Sequence, residues 1–280
     1  MVKIAAIGDN VVDCYIAQRQ MFPGGNCLNV SVFVHRFGGA AAYVGSIGGD
    51  GAGDLIRRAL TEEGVDITHL RVLDGPTAYC VIGHRDADRV FLAFDLGVSM
   101  FAPTQEQIAF LNGFDAVHVG QSSGLDGHIQ AIARQAPLSY DFSVRRDAAH
   151  RRTIGPLCFL ASISGGDLSK QAAADITEEL LQAGAKWVLV TRGKAGAMLS
   201  GPLGKFQVAS FPVEAVDTLG AGDTFIARTL YGLIAGEKPE RLLDEAARAA
   251  ARTCLHLGAV GHGAPIDIAA DLDRLASIST

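Results

Sequence analysis

Short apolar runs alternate along the chain with segments in which apolar residues recur every three or four positions. The short runs are typical of buried strands, and the wider spacing is typical of amphipathic helices. The predicted strands cover residues 4–7, 42–44, 116–119, 138–142, 159–161 and 187–191. The predicted helices between them cover residues 26–37, 55–63, 105–111, 129–134 and 167–183. This alternation predicts an α/β fold with a central, mainly parallel sheet and helices on both faces.

Two parts of the chain depart from this alternation. Residues 11–16 follow the first strand with no helix between them, and residues 77–83 and 89–94 flank a polar turn as in a β-hairpin. So small a sheet cannot bury both of its faces alone. We therefore expect a small β lid, with strands at about 11–17 and 77–95, that covers the active site, pairs with a second subunit, or both. The rest of the chain is predicted to form a hairpin over 195–199 and 205–208 and helices over 221–235 and 240–257.

Composition sets limits on the class of protein. The chain has 280 residues, of which 49% are hydrophobic and 19% charged. Because α/β folds of this size often form one unit, we expect residues 1–280 to be a single domain. The net charge of −6 and the lack of any Lys/Arg run argue against nucleic acid as a partner.

The location expected for the protein is the cytoplasm. The first residues read as a buried strand rather than a secretion signal, and no apolar run reaches the ~18 residues of a membrane helix, so no membrane partner is expected. The five cysteines lack a Cys-x-x-Cys pair, which favours reduced thiols. The histidines lack the spacing of a zinc site, and no metal-ligating residue is predicted.

A glycine-rich stretch precedes the first of the two closing helices and reads Asp217-Thr218-Leu219-Gly220-Ala221-Gly222-Asp223. Its glycines let the backbone approach a ligand, and the free N–H groups of a helix start attract anions. A transferring phosphoryl group needs such stabilisation, and Asp223 could take the proton of an attacking hydroxyl. The alternative is a plain turn in which Asp223 caps the helix.

A second glycine-led stretch also precedes a predicted helix and reads Gly24-Gly25-Asn26-Cys27-Leu28-Asn29. Asn26 and Asn29 share a helix face, and their amides offer both donors and acceptors for sugar hydroxyls. The alternative for Asn26 is helix capping. Asp13 follows the first strand, close to the edge at which α/β sheets bind ligands, and its alternative is a solvated loop acid.

Five motifs, in this order, resemble those of the ribokinase-like (PfkB) carbohydrate kinases. They begin at Gly8, Gly24, Gly48, Thr191 and Asp217 and end at Asp13, Asn29, Gly53, Gly196 and Asp223. The resemblance covers essentially the whole chain, and the motif Asp-Thr-x-Gly-Ala-Gly-Asp is highly specific. Within the family, residues 7–10, 22–26, 64–69 and 141–143 are most similar to the fructoselysine 6-kinases.

This resemblance implies a role for individual residues. Asp223 would be the catalytic base, and the amides of Gly220, Ala221 and Gly222 would form the anion hole. The sugar-binding residues would be Asp13, Gly25, Asn26 and Asn29. The ATP-binding residues would be Thr191, Gly193, Gly196 and Thr218, with residues 250–254 as a wall for the adenine. The resemblance also implies ATP and Mg²⁺ as cofactors, a monovalent cation such as K⁺ as a further candidate, and a homodimer formed through the lid.

Several positions depart from the family pattern. Cys27 stands where a Gly or Ala is usual, and Arg228 replaces a Gly commonly found five residues after the catalytic Asp. The Asn-x-x-Glu motif tied to magnesium and phosphate is not visible in its expected region, 161–167. Asp167 is a candidate substitute, although helix capping is its better interpretation. Asp141 is an alternative acid near a strand end, and Mg²⁺ would be held mostly by phosphates and water.

The function expected is that of an ATP-dependent kinase acting on a primary hydroxyl of a fructosamine or ketose-type sugar, similar to a fructoselysine 6-kinase. Kinases of fructose, ribose or 2-keto-3-deoxygluconate stay open, as does a non-catalytic sugar- or nucleotide-binding protein on this scaffold. The lid hairpin and the asparagine motif argue against a kinase of a vitamin precursor. Asp95, Arg89 and Arg145 are candidates for binding an amino-acid tail, with solvated charges as their alternative.

Overall fold

A computed structural model of the chain describes residues 1–85, 88–268 and 270, with only the backbone described within 84–91. The strands are β1 Lys3–Ile7, β2 Val11–Tyr15, β3 Gln20–Gly24, β4 Ala40–Gly48, β5 Leu70–Leu73, β6 Tyr79–Arg85, β7 Asp88–Asp95, β8 Ala116–Gly120, β9 Leu138–Asp141, β10 Cys158–Ser164, β11 Trp187–Thr191, β12 Ala197–Gly201, β13 Gly204–Val208 and β14 Ala264–Pro265. The helices are α1 Asn26–Arg36, α2 Gly51–Glu62, α3 Gln105–Phe110, α4 Ile129–Ala133, α5 Ala148–Ile154, α6 Lys170–Ala183, α7 Ala221–Ile234 and α8 Pro239–Thr253.

The large sheet has nine strands in the order β13-β12-β11-β10-β9-β8-β1-β4-β5. Every neighbouring pair from β11 to β5 is parallel. At the other edge, the pairs β11–β12 and β12–β13 are antiparallel. This arrangement confirms the predicted mainly parallel sheet.

Helices cover both faces of this sheet, as predicted. Because side chains alternate along a strand, Ile4 and Ala6 of β1 enter one core while Ala5 and Ile7 enter the other. The first core also receives apolar residues of α1, α2, α7 and α8. The second receives those of α4, α5 and α6. Burial on both faces explains why these strands read as continuous apolar runs.

A second sheet of five strands has the order β14-β3-β2-β6-β7. Its pairs are antiparallel except for β2 and β6, and β6 and β7 form the predicted hairpin, whose turn residues 86 and 87 lie outside the described part of the chain. Tyr15, Phe22 and Ile82 form a small apolar cluster in this sheet. Leu219 of the glycine-rich stretch packs against it, so the small sheet sits beside that stretch as a lid.

Some predicted boundaries and elements are wrong. The prediction omitted β3, β5, β14 and α5; β3 contains Pro23 and Gly24, which rarely occur inside strands. Helix α6 begins at Lys170 rather than at 167, because the Ser169 hydroxyl caps it by accepting from the Ala172 amide at 3.1 Å. Asp167 is therefore not the cap, and its carboxylate pairs with Arg146 at 2.8 Å.

Among the residues that the structure describes, no helix has both the length and the apolar character needed to cross a bilayer.

Candidate active site

The parallel strands end at one edge of the large sheet, and polar side chains follow them there. Asp9 lies two residues beyond β1, Asp141 is the last residue of β9 and Thr191 is the last residue of β11. Open α/β sheets bind ligands at this carboxyl edge. The helices α1 and α7 both begin close to this edge, because Asn26 in the first turn of α1 contacts Asp141 of β9 and Asp223 of α7.

The contact joins three residues named from the sequence. Asn29 donates from Nδ2 to Asp223 Oδ2 at 2.7 Å. Asn26 donates from Nδ2 to Asp223 Oδ1 at 2.8 Å and to Asp141 Oδ2 at 3.1 Å. The fold therefore brings the two asparagines of α1 onto the carboxylate of α7. Asp223 makes no capping bond, because the N-cap of α7 is Gly220, so the capping interpretation of Asp223 is wrong.

Burial changes the proton affinity of both carboxyls in this cluster. Loss of water around Asp223 raises its pKa to about 6; the bonds from Asn29 and Asn26 oppose the rise, and the charge of Asp9 adds to it. Burial raises the pKa of Asp141 to about 7, a rise that the amide of Ser143 opposes and the charge of Asp223 increases. Asp223 is thus largely ionised near neutral pH, with a basicity suited to accepting a proton.

The carboxylate of Asp9 caps the start of α1. Its Oδ2 accepts from the backbone N–H of Asn26 at 3.0 Å, and its Oδ1 accepts from the backbone N–H of Cys27 at 3.4 Å. Gly25 is the N-cap with φ of +104°, and a Cβ there would lie 2.6 Å from Cα of Asn10. Asn26 is therefore not the cap of α1, and its side chain is free of that task. The glycine at position 25 has a steric reason of its own.

The N-cap of α7 is a glycine, which has no side chain to cap the helix. This residue, Gly220, has φ of +79°, and a Cβ there would lie 2.3 Å from Cβ of Ala259. A Cβ on Gly222, by contrast, would meet no described atom within 4 Å outside its chain neighbours and the backbone of its own helix. The first N–H groups of a helix lack intrahelical acceptors, and here they belong to Ala221, Gly222 and Asp223. Backbone donors and open space beside a carboxylate fit a phosphoryl group.

Asp13 lies inside strand β2 of the small sheet, paired in register with Phe22 and Cys80. It is 5% exposed, so the interpretation as a solvated loop acid is wrong. Its carboxylate lies against Gly24, where a Cβ would be 2.1 Å from Oδ2. Asp13 is thus a buried acid of the small sheet, next to the glycines that lead into α1.

The residues predicted to bind ATP lie in two other segments. Thr191 ends β11, and the turn that follows contains Gly193 and Gly196. In this turn the Gly196 N–H donates to the carbonyl oxygen of Gly193 at 3.0 Å. Thr218 is exposed, and its carbonyl accepts from the Ala221 amide at 3.4 Å. The carbonyl of Cys254, at the end of α8, accepts from Val216 at 2.8 Å, which fixes that helix end beside the glycine-rich stretch.

Contacts are seen for Arg228, which departs from the family pattern, and for some of the residues considered for binding an amino-acid tail. Arg228 is buried and pairs with Glu237 at 2.7 Å. Arg145 pairs with Asp126 at 3.2 Å and with Asp147 at 3.5 Å. Asp95 is exposed, and the side chain of Arg89 lies outside the described residues. Arg145, which is engaged in ion pairs, and exposed Asp95 therefore gain no support as ligand-binding groups.

Two residues of the cluster were not assigned a role from the sequence, and both have weak sequence signals. Asp9 follows the first strand in the pair Gly8-Asp9, a signal that could have marked it as a cap for α1. His118 is fully buried on β8, and its ring bonds the Asn26 amide at 2.8 Å. A single histidine in an apolar strand carries no pattern that distinguishes it from the core.

Sequence comparison relates the chain to known enzymes. Residues 2–141 and 158–266 match the profile of the pfkB family of carbohydrate kinases. The fructosamine kinase FrlD of Bacillus subtilis (strain 168) is 33% identical over 268 residues, which cover 94% of each chain. The fructoselysine 6-kinase of Escherichia coli (strain K12) is 32% identical over 261 residues, which cover 92% of this chain and all of that enzyme.

Comparison of folds relates the chain to ribokinase structures, at lower sequence identity. A structure of Arabidopsis thaliana ribokinase, complexed with ribose and ATP, superposes with a TM-score of 0.82 at 20% identity and covers 100% of this chain and 99% of its own. A putative ribokinase II of E. coli, in complex with ATP and Mg²⁺, gives a TM-score of 0.78 at 22% identity, with 99% and 98% covered. The architecture is ribokinase-like.

Proposed function

The chain belongs to the pfkB family of carbohydrate kinases, and from this membership we propose that it transfers the γ-phosphoryl group of ATP to a primary hydroxyl of a fructosamine, as a fructoselysine 6-kinase does. Two relatives that are 33% and 32% identical over more than nine-tenths of this chain carry names that state such substrates. The observation that carries the proposal is the Asp223 carboxylate, held by Asn26 and Asn29 beside the open space at Gly222.

In the proposed reaction, ionised Asp223 accepts the proton of the sugar hydroxyl. The hydroxyl oxygen forms a bond to the γ-phosphorus, the bond from that phosphorus to the bridging oxygen breaks, and ADP leaves with the electron pair. The N–H groups of Gly220, Ala221 and Gly222 would stabilise the charge on the transferring group. Proton transfer to such a base contributes about 10²–10⁴-fold to a rate.

The remaining site residues are proposed as binding groups. Asp13 lies against Gly24, next to the start of α1 with Gly25, Asn26 and Asn29, and we assign Asp13 and these three residues to the sugar. Thr191, Gly193, Gly196 and Thr218 are assigned to ATP, with residues 250–254 beside the adenine. We treat residues 1–280 as one domain in which the small sheet closes over the sugar and offers its outer face to a second subunit.

Magnesium fits this site only as an ion that arrives with ATP. Within the described part of the chain, no group of three or more His, Cys, Asp or Glu could hold a metal ion. Mg²⁺ commonly keeps several waters and binds phosphate oxygens with few protein ligands, and it would neutralise charge on those phosphates. Dependence on a monovalent cation such as K⁺, and a cytoplasmic location, stay predictions; activity in K⁺ against Na⁺ tests the first.

A panel of sugars tests the proposed substrate. ADP release would be measured with fructoselysine, fructose, ribose and 2-keto-3-deoxygluconate, and kcat/KM should be highest for fructoselysine. A higher value for another sugar would reassign the substrate within the family. Asp223→Asn serves as the control, because it should lower turnover by about 10²-fold or more while ATP binding persists. No ADP release with any sugar would favour a binding protein, and near-normal turnover of the variant would remove Asp223 as the base.

A further inference from the structure

A buried histidine lies behind the asparagine that holds the base. His118 is on β8 and is 0% exposed. Its Nε2 lies 2.8 Å from Asn26 Oδ1, and its Nδ1 lies 2.9 Å from Oγ of Ser139 on the neighbouring strand β9. A continuous chain of hydrogen bonds therefore runs from Ser139 through His118 and Asn26 to Asp223.

Hydrogen-bond chemistry fixes the direction of this chain. Ionised Asp223 only accepts, so the amide nitrogen of Asn26 must face it, and the amide oxygen must face His118. Nε2 of His118 therefore carries the proton and donates to Asn26, while Nδ1 accepts from the Ser139 hydroxyl. Burial lowers the pKa of His118 to about 3, so the ring is neutral at physiological pH and has one donor and one acceptor nitrogen.

We propose that His118 is a positioning residue, which orients the Asn26 amide so that its NH₂ group holds the carboxylate of Asp223. Its effect on the rate rests on the proposed function, whereas its effect on Asp223 does not. A reversed Asn26 amide would place its oxygen against Asp223 and Asp141 and its NH₂ against a ring N–H. With the His118 donor present, only one orientation satisfies every group.

Loss of the donor should change the proton affinity of Asp223. The Asn26 bond stabilises the ionised carboxylate, so a disordered or reversed amide would raise the pKa of Asp223. Asn29 would still hold the other oxygen, and the charges that face the site, Asp9 and Asp141, would stay in place. The expected upward movement is about one pH unit, the size produced by one hydrogen bond to a charged group.

Two neutral replacements of similar polarity separate positioning from packing. In His118→Gln the amide nitrogen occupies the place of Nε2 and can still donate to Asn26. In His118→Asn the shorter side chain reaches only the place of Nδ1, so the contact with Ser139 can persist while the donor to Asn26 is lost. Titration of ¹³C-labelled aspartate carboxyls by NMR, with Asp223 identified by its absence in Asp223→Asn, measures the midpoint without catalysis.

The expected result is an Asp223 midpoint near the wild-type value in His118→Gln and about one pH unit higher in His118→Asn. An unchanged midpoint in a folded His118→Asn overturns the proposal. If that variant does not fold, the ¹⁵N shifts of the His118 ring in the wild-type protein show which nitrogen carries the proton; a proton on Nε2 is expected, and a proton on Nδ1 also overturns the proposal. A raised midpoint together with normal turnover of Asp223→Asn would leave the positioning role intact and reject Asp223 as the base.

Discussion

The side-chain amide of Asn29 donates to the carboxylate of Asp223 across 2.7 Å, and the two residues are 194 positions apart in the chain. The bond links the first turn of α1 to the first turn of α7. It favours the ionised carboxylate at a place where burial favours the neutral acid. The balance between these two effects sets the fraction of Asp223 that is ionised near neutral pH, and on the proposed function the activity should be sensitive to pH and to substitutions around this carboxylate.

The acid side of the pH profile should report Asp223. Its pKa is raised to about 6, and only the ionised form can accept a proton. Activity should therefore be full well above this value and fall as the pH drops through it, by about tenfold at one pH unit below. The measurement is kcat/KM against pH with saturating ATP. The residual activity of Asp223→Asn should lack this limb; a limb at the same pH in that variant would assign it to another group.

A negative charge at position 29 should move that limb to higher pH. Asn29→Asp keeps the shape of the side chain but replaces the donor with a second carboxylate against Asp223. Two like charges at this distance cannot both ionise easily, so one pKa rises strongly. Activity at pH 7 should fall at least tenfold and recover in part at higher pH. The matched control is Asn112→Asp at an exposed position, which should leave the profile unchanged. An unshifted profile in Asn29→Asp would contradict the coupling.

Alanine at two glycines of the glycine-rich stretch should affect different properties, activity at Gly222 and folding stability at Gly220. A methyl group on Gly222 would meet no described atom within 4 Å beyond its chain neighbours and the backbone of α7, so Gly222→Ala should fold normally yet lose activity if a phosphoryl group occupies that space. Gly220→Ala should instead lower the free energy of unfolding by about 1–3 kcal/mol, because of its positive φ and the clash with Ala259. Thermal unfolding and KM for ATP separate the two effects. Normal kinetics in Gly222→Ala would exclude this place as the anion site.

The arginine at position 228 should prove to be structural. It pairs with Glu237 and stacks near Phe37 and Tyr231, at 5.9 and 5.7 Å from their ring centres. Arg228→Ala leaves Glu237 without its partner and should cost about 2–3 kcal/mol of folding stability, with KM for both substrates unchanged. Arg248→Ala removes an exposed pair with Asp244 and should leave the folding stability close to that of the wild type. A large rise in KM without loss of stability would give Arg228 a direct role.

The sequence predicted the architecture because its signals are local. Continuous apolar runs mark strands buried on both faces, and the period of the helices marks the side that packs. The same local logic failed where the signal is weak. Strand β3 contains Pro23 and Gly24, and α6 starts at Lys170, after a serine cap and three residues inside its predicted range.

The candidate site was predictable as a set of residues, although not as a set of contacts. The spacing of Asn26 and Asn29 placed both on one helix face, and the glycine-rich stretch marked Asp223. Which carboxylate these amides hold depends on how α1 packs against α7, a relation between distant segments. Asp141 was visible only as an alternative acid, and His118 not at all, because its one distinguishing property is its neighbour in space.

The order of these segments in the chain has a consequence for biosynthesis. Asn29 is synthesised 194 residues before Asp223, and α1 precedes the helices α7 and α8 that complete the core over it. A chain truncated before residue 220 would hold an asparagine pair without its carboxylate and an uncovered apolar face on α1. Such a product would lack the contacts to Asp223 and be prone to aggregation, so the asparagine–carboxylate cluster and a closed core arise together, once α7 and α8 have been made.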